Sequence, residues 1–270
     1  MELKIAFTDI DGTLLNAERE VSEMLKNEVS RISTQNIPFI LISSRMPDAM
    51  THLQKDLNIE DLPIICYNGG LILADGEVVD DISIDVDILQ DIAKLNEKNN
   101  FHTSLYNNND WYVPAMDFWA KREQNNTKVT PTVKPIQEVI NLWTREEKGA
   151  HKVMCMGDKE HIDTLVTALQ KLHGEHLHLY RSKDTYLEIA NKQISKLTGI
   201  KELLACKYPH LSLENCIAFG DNYNDIEMLK AVKMGIAVAN AKTEVLNIVN
   251  YVGDFNKKDG VAKAIQKFMV

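Results

Sequence analysis

Short apolar runs alternate with amphipathic stretches at both ends of the 270-residue chain, and residues 82–184 interrupt that alternation with a pattern of their own. At the front, 3–7 reads as a strand, and 22–36 as a helix with Val21, Leu25, Val29 and Ile32 near one face. An apolar strand follows at 37–43 and a buried one at 64–67. The last third repeats the theme: helix 195–207, strand 216–219, helix 224–232, strand 235–239, helix 242–249, and a closing helix after Asp259-Gly260. Alternating strands and helices predict an α/β fold, a doubly wound parallel sheet covered on both faces. The interruption holds a helix at 86–98, strands near 102–106 and 111–113, a strand at 152–156, a helix at 159–172 and a strand at 177–180. That is too much chain for one crossover. It predicts an inserted α+β domain at 82–184, with 1–81 and 185–270 forming the core.

The first strand runs into Phe7-Thr8-Asp9-Ile10-Asp11-Gly12-Thr13. Side chains at i and i+2 of a strand leave one face, so Asp9 and Asp11 can address one small ligand while Gly12 permits close backbone approach. Asp-Gly between apolar runs also signals a plain hairpin, and the motif alone leaves both readings open. Three distant segments bear on the choice. The second strand ends in Ser43-Ser44-Arg45, Ser195-Lys196 opens a helix, and the strand at 216–219 ends in Gly220-Asp221-Asn222-Tyr223-Asn224-Asp225. Helix N-termini favour anions, acids four apart share a helix face, and in a doubly wound sheet the strands' carboxyl ends form the ligand crevice. These segments can therefore converge.

Together they resemble the haloacid dehalogenase-like phosphohydrolases, in particular the Cof-like small-molecule phosphatases. Asp9-x-Asp11-Gly12-Thr13 is similar to that family's first motif, Ser43 to the second, Lys196 to the third and Gly220-Asp221-x-x-Asn224-Asp225 to the fourth. The likeness extends to Tyr67-Asn68-Gly69-Gly70, Ala239-Asn240-Ala241 and Asp259-Gly260-Val261, and the interruption falls where that branch carries its cap. Ser44 and Leu197 stand where the family usually has glycine.

The resemblance implies an Mg²⁺-dependent phosphatase acting on a small phosphomonoester such as a sugar phosphate. Asp9 is then the nucleophile and Asp11 the acid and base. Ser43, Ser44, Arg45, Asn68, Gly69, Lys196 and Asn224 hold phosphate or substrate. Asp9, Asp11 (through its backbone carbonyl), Asp221 and Asp225 serve the metal, Asp225 and Asn224 from behind the direct ligands. The inserted cap covers the crevice and supplies specificity. A phosphomutase is an alternative, needing a second phosphate cluster for which Arg122, Arg145, Lys152 and Arg181 are available. A non-catalytic sensor on the same fold is another, disfavoured by the intact Asp9, Asp11, Lys196 and Asp221.

Composition narrows the partners. A formal charge of −9 and a pI near 5.4 disfavour nucleic-acid binding, which needs clustered Lys and Arg. No apolar run approaches the roughly 20 residues of a membrane span, and the opening residues lack a signal-peptide pattern. A cytoplasmic protein, monomeric or weakly self-associating, is expected. Cys66, Cys155, Cys206 and Cys216 show no CxxC spacing and read as buried free thiols. The run His173-Gly-Glu-His176-Leu-His178 reads as surface histidines rather than a metal site. Trp111, Tyr112, Phe118, Trp119 and Trp143 suit either core packing or a sugar pocket.

Overall fold

The computed structural model describes residues 2–99 and 101–269. It divides into two compact units, one of Met1–Ser44, Met50–Asp80 and Ser195–Val270, the other of Arg45–Ala49 and Asp81–Ile194. The chain begins with β1 (Ile5–Thr8), α1 (Glu23–Ser33), β2 (Phe39–Ile42), α2 (Asp48–Leu57), β3 (Ile64–Cys66), β4 (Leu71–Ala74) and β5 (Glu77–Asp81). Local chemistry fixes these elements. Ser22 caps α1 by accepting the Leu25 N–H at 3.2 Å, and Leu25, Val29 and Ile32 form its buried stripe. The turn between β4 and β5 places both Asp75 and Gly76 at positive φ, the backbone a tight hairpin requires.

The second unit contributes α3 (Val86–Asn99), β6 (His102–Asn107), β7 (Asp110–Val113), α4 (Phe118–Thr127), β8 (Thr132–Val133), α5 (Ile136–Arg145), β9 (Lys152–Met156), α6 (Lys159–His173), β10 (Leu177–Lys183) and β11 (Tyr186–Asn191). Its six strands run in the order β10-β11-β9-β6-β7-β8. Leu105, Val153, Cys155, Leu187 and Ile189 leave one face of this sheet and pack with Ile88, Ile92, Ile140, Trp143, Ile162 and Leu165 of α3, α5 and α6. Each such buried side chain contributes roughly 1.5–3 kcal/mol. Asp117 starts α4 by accepting the Ala120 N–H at 2.9 Å, and its other oxygen lies 2.7 Å from His102 Nδ1.

The chain returns through α7 (Lys196–Lys207), β12 (Cys216–Gly220), α8 (Ile226–Ala231), β13 (Met234–Ala237), α9 (Thr243–Leu246), β14 (Tyr251–Val252) and α10 (Gly260–Phe268). The first unit's sheet has the order β14-β13-β12-β1-β2-β3-β4-β5. β14 to β3 pair in parallel, and β4 joins β3 antiparallel. The fold is thus a doubly wound α/β sheet. Because the chain leaves β1 toward β2 and re-enters beside β1 at β12, the two halves of the winding meet between β1 and β12, the position where such sheets bind ligands.

Three sequence expectations need correction. Residues 186–191 are not core. β11 pairs antiparallel with β10 and β9 in the second unit, which extends to Ile194 rather than ending at 184. With so few residues after β10, the chain can only double back as a hairpin. Cys206 is exposed, one residue from the end of α7; Cys66, Cys155 and Cys216 are buried free thiols. The helix read at 242–249 shortens to α9. Among the described residues, no helix is long and apolar enough to cross a membrane.

Candidate active site

β1 stops at Thr8, and Asp9 continues extended with its N–H donating to the Phe219 carbonyl of β12 at 3.0 Å. The backbone then makes one wide turn over residues 10–14, closed by the Leu15 N–H to the Ile10 carbonyl at 3.2 Å. Gly12 takes φ +87° in that turn, and a Cβ there would stand 2.5 Å from Asp221 Oδ2. Glycine is therefore required twice, for the left-handed backbone and for the approach to the Asp221 carboxylate. Thr13 follows and donates its hydroxyl to Asp221 Oδ1 at 2.9 Å.

Lys196 arrives from the other side. Ser195 and Thr198 form a reciprocal cap at the start of α7, Ser195 Oγ accepting the Thr198 N–H at 3.2 Å and Thr198 Oγ1 accepting the Ser195 N–H at 2.8 Å. This holds the Lys196 side chain fully buried, where its ammonium donates to Asp9 Oδ1 and, at 2.6 Å, to Asp225 Oδ1. Asp225 Oδ2 accepts the backbone N–H groups of Asp221 and Asn222, both at 2.9 Å. Asp225 is thus a fully buried brace joining Lys196 to the loop that carries Asp221.

Carboxylate oxygens of Asp9, Asp221 and Asp225 lie within 4.8 Å of one another, the one such acidic group found among the described residues. Three carboxylates against one ammonium leave two negative charges in a largely buried site. The titrations follow. Burial, with Asp225 adding to it, pushes the Asp221 carboxyl up to about 6 although the Thr13 hydroxyl opposes this. Burial likewise raises Asp9 well above the usual carboxylate range, against the pull of Lys196. Burial also works to strip the Lys196 ammonium of its proton, but Asp225 and Asp9 outweigh it and hold that pKa above the ordinary lysine value.

The remaining sequence candidates divide. Ser43, at the end of β2, is buried, gives its N–H to the Ile65 carbonyl at 3.0 Å and accepts the Asn68 N–H on its own carbonyl at 2.8 Å. Asn224 Nδ2 donates to Asn68 Oδ1 at 3.0 Å, tying the third strand's loop to the fourth motif. Gly69, at φ +101°, packs where a Cβ would meet the Ser195 carbonyl at 2.6 Å, so its visible role is to let α7 begin beside this loop. Ser44 is half-buried in the same unit. Arg45 belongs to the second unit and donates from Nη1 to the Ala49 carbonyl at 2.9 Å.

Asp11 departs from its expected place. It does not leave a strand face beside Asp9 but sits in the wide turn, its carboxylate 2.6 Å from Arg19 Nη2 and outside the three-carboxylate group. Thr13 and Arg19 were not singled out as site residues by sequence reasoning. Thr13 carried a signal, since its hydroxyl follows the acidic pair within one turn. The second phosphate cluster that the phosphomutase alternative would need does not gather all four of its candidates, Arg122, Arg145, Lys152 and Arg181, as one group. Lys152 lies over the Tyr106 ring at 4.6 Å, whereas Arg181 pairs with Asp163 on α6. Val153 and Leu179 mark the helix-covered face, so Lys152 and Arg181 leave opposite faces of the sheet. Trp111 and Trp143 are core residues, and Phe118 is exposed.

A family model described as haloacid dehalogenase-like hydrolase matches residues 6–265. A Haemophilus influenzae protein named, provisionally, as a phosphatase is 30% identical over 99% of this chain and 98% of its own length. The 5-amino-6-(5-phospho-D-ribitylamino)uracil phosphatase YcsE of Bacillus subtilis is 25% identical, covering 100% of this chain and 97% of itself. Among solved structures, a haloacid dehalogenase-like hydrolase from Bacteroides thetaiotaomicron superposes with a TM-score of 0.89 at 26% identity, covering 98% of this chain and 99% of that one.

Proposed function

Because the chain belongs to the haloacid dehalogenase-like hydrolase family, we propose that it is a phosphatase that cleaves small phosphomonoesters through a covalent phosphoryl-Asp9 intermediate. The observation carrying this reading is the Asp9, Asp221 and Asp225 cluster braced by a buried Lys196. Its donors fit a hard divalent cation, all being carboxylate oxygens with an unbalanced charge of minus two, and Mg²⁺ is the proposed ion. Asp9 and Asp221, with the Asp11 carbonyl, would hold it. Asp225 has both oxygens occupied by Lys196, Asp221 N–H and Asn222 N–H, which suits it to orienting these groups. A bound cation supplies the positive charge that lets a phosphate dianion approach three carboxylates.

The residues then divide the work. Asp9 attacks phosphorus, splitting one hard displacement into two. Asp11 gives a proton to the leaving oxygen and later takes one from the attacking water. Lys196 is positioned to neutralise Asp9 and stabilise the charge that spreads over the phosphoryl oxygens. Ser43, Ser44, Arg45, Asn68 and Asn224 remain proposed contacts of the phosphate or its ester. These motifs recognise only what every phosphomonoester shares, so discrimination is assigned to the unit of residues 81–194. A sugar phosphate is the proposed substrate class, a choice supported by the phosphoribityl compound in the name of the YcsE relative.

The test is phosphate release by purified Asp9→Asn across a panel of phosphosugars. An amide neither attacks well nor carries the needed charge, so turnover should fall at least ~10³-fold. Substantial cation-dependent release from that variant would refute the assignment.

A further inference from the structure

Arg19 sits at the tip of the loop that follows the wide turn, and its side chain pairs with the Asp11 carboxylate, Nη2 to Oδ1 at 2.6 Å. The loop is built to place it. Asn16 Oδ1 accepts the Glu18 and Glu20 N–H groups at 3.1 and 2.8 Å, the Asn16 N–H donates to the Glu20 carbonyl at 3.1 Å, and the Arg19 N–H donates to the Asn16 carbonyl at 3.2 Å. Arg19 thereby holds φ +63°, a left-handed backbone that is uncommon outside Gly, Asn and Asp. Both side chains are nearly half exposed, 47% for Arg19 and 42% for Asp11. An ion pair that wet contributes little to stability. Its consequence is orientation: a planar guanidinium fixes which way the carboxylate faces.

We propose that Arg19 is a positioning residue for the proton transfer by Asp11, holding that carboxyl group toward the leaving oxygen of the ester. The inference rests on the proposed phosphatase reading and deepens it. Proton delivery matters in proportion to how poor the leaving group is. An alkoxide such as a sugar hydroxyl must be protonated as it departs, whereas a nitrophenolate leaves unaided. A residue that acts through Asp11 therefore slows the transfer step from alkyl phosphates and spares that step from activated aryl phosphates, while the later attack of water is common to both and slows alike. kcat/KM reports the transfer step alone, and a general structural role, or a direct grip on the phosphate, lowers it for both esters.

The experiment compares kcat and KM of the full chain and its Arg19→Ala and Arg19→Lys variants on para-nitrophenyl phosphate and on an alkyl phosphate such as glycerol phosphate, with melting curves for each. Well-placed proton transfer is worth about 10²–10⁴-fold, so its partial misplacement in Arg19→Ala should lower kcat/KM on the alkyl ester by ~10-fold or more. kcat/KM on the aryl ester should stay within about twofold, and Arg19→Lys should recover part of the loss. Equal loss of kcat/KM on both esters, or no loss on either, would overturn the assignment of Arg19. If the parent chain releases no phosphate from either ester, the phosphatase reading falls, and this inference with it.

Discussion

Replacing Lys196 by Met should destabilise the cation-free protein by about 3–5 kcal/mol at pH 7.5, the usual cost of removing one partner from a buried ion pair. Lys196 is fully buried and joins Asp9 to Asp225. At the Asp225 separation of 2.6 Å, one pair is worth roughly 6 kcal/mol of gross attraction for an effective dielectric near 20, and desolvation of the ions offsets much of it. Methionine fills similar volume, so the loss is electrostatic. It should depend on pH in a defined direction. Asp9 and Asp221 have raised pKa values in the folded chain, so the folded state binds more protons than the unfolded one between the ordinary carboxylate value and about 6. Stability from these groups is present at low pH and lost as pH rises through that window. Without Lys196 the carboxylates take up protons more readily still, and the variant should fall closest to the parent near pH 5 and furthest above pH 7. Thermal melts in EDTA measure this. At about 2–4 °C per kcal/mol for a body of this size, the deficit at pH 7.5 should be ~6–20 °C, shrinking at pH 5. A melting point unchanged within a degree or two, or a deficit that grows toward acid, would refute the electrostatic reasoning.

Gly12→Ala must adopt φ +87° and push Asp221 aside; cation affinity, read by titration calorimetry with Mg²⁺, should weaken about 10-fold or more, and unchanged affinity would contradict the close approach. In the parent, saturating Mg²⁺ should raise the melting point more at pH 7.5 than at pH 5, because Asp221, with its pKa near 6, holds a proton in competition with the cation at the lower pH; an equal gain at both would count against the three-carboxylate site. Replacing residues 82–194, β11 included, by a short Gly/Ser linker should leave slow cleavage of an aryl phosphate and flatten the ranking of phosphosugars, whereas an unchanged ranking would remove discrimination from that unit.

The parts of the molecule legible in the sequence are those where local pattern and tertiary outcome agree. Apolar strands such as Phe39–Ile42, all buried, and the capped, striped α1 follow from periodicity. The convergence of Asp9, Lys196, Asp221 and Asp225 follows from strand order, because β12 re-enters beside β1. Other elements were obscured for physical reasons. α4 buries only Ala120 and Thr127, so it carries no apolar period and Asp117 at its cap was its main signal. α5 shows a stripe in Val139, Ile140 and Trp143 after Pro135, short enough to read as loop between the stronger patterns on either side. The β4 and β5 pair flanks Asp75-Gly76, a turn signal of the same kind as Asp11-Gly12. Side-chain partners were the least legible. Lys196 is legible as a site residue from its motif and its place at a helix start, but its sealing between Asp9 and Asp225 is not. Arg19 falls in a loop whose shape depends on Asn16, and nothing in its spacing from Asp11 announces the pair.

On the proposed mechanism Asp9 itself becomes phosphorylated. Asp11→Asn removes the group proposed to activate water, while an activated aryl phosphate does not need an acid to leave, so the phosphoenzyme should accumulate in that variant. Mixing Asp11→Asn with para-nitrophenyl phosphate and Mg²⁺, quenching in acid within the first turnover and mapping peptides by mass spectrometry should place one phosphoryl group on Asp9, matched by a stoichiometric burst of nitrophenol. A nitrophenol burst with the peptide containing Asp9 unmodified, or with the phosphoryl group on another residue, would contradict the account.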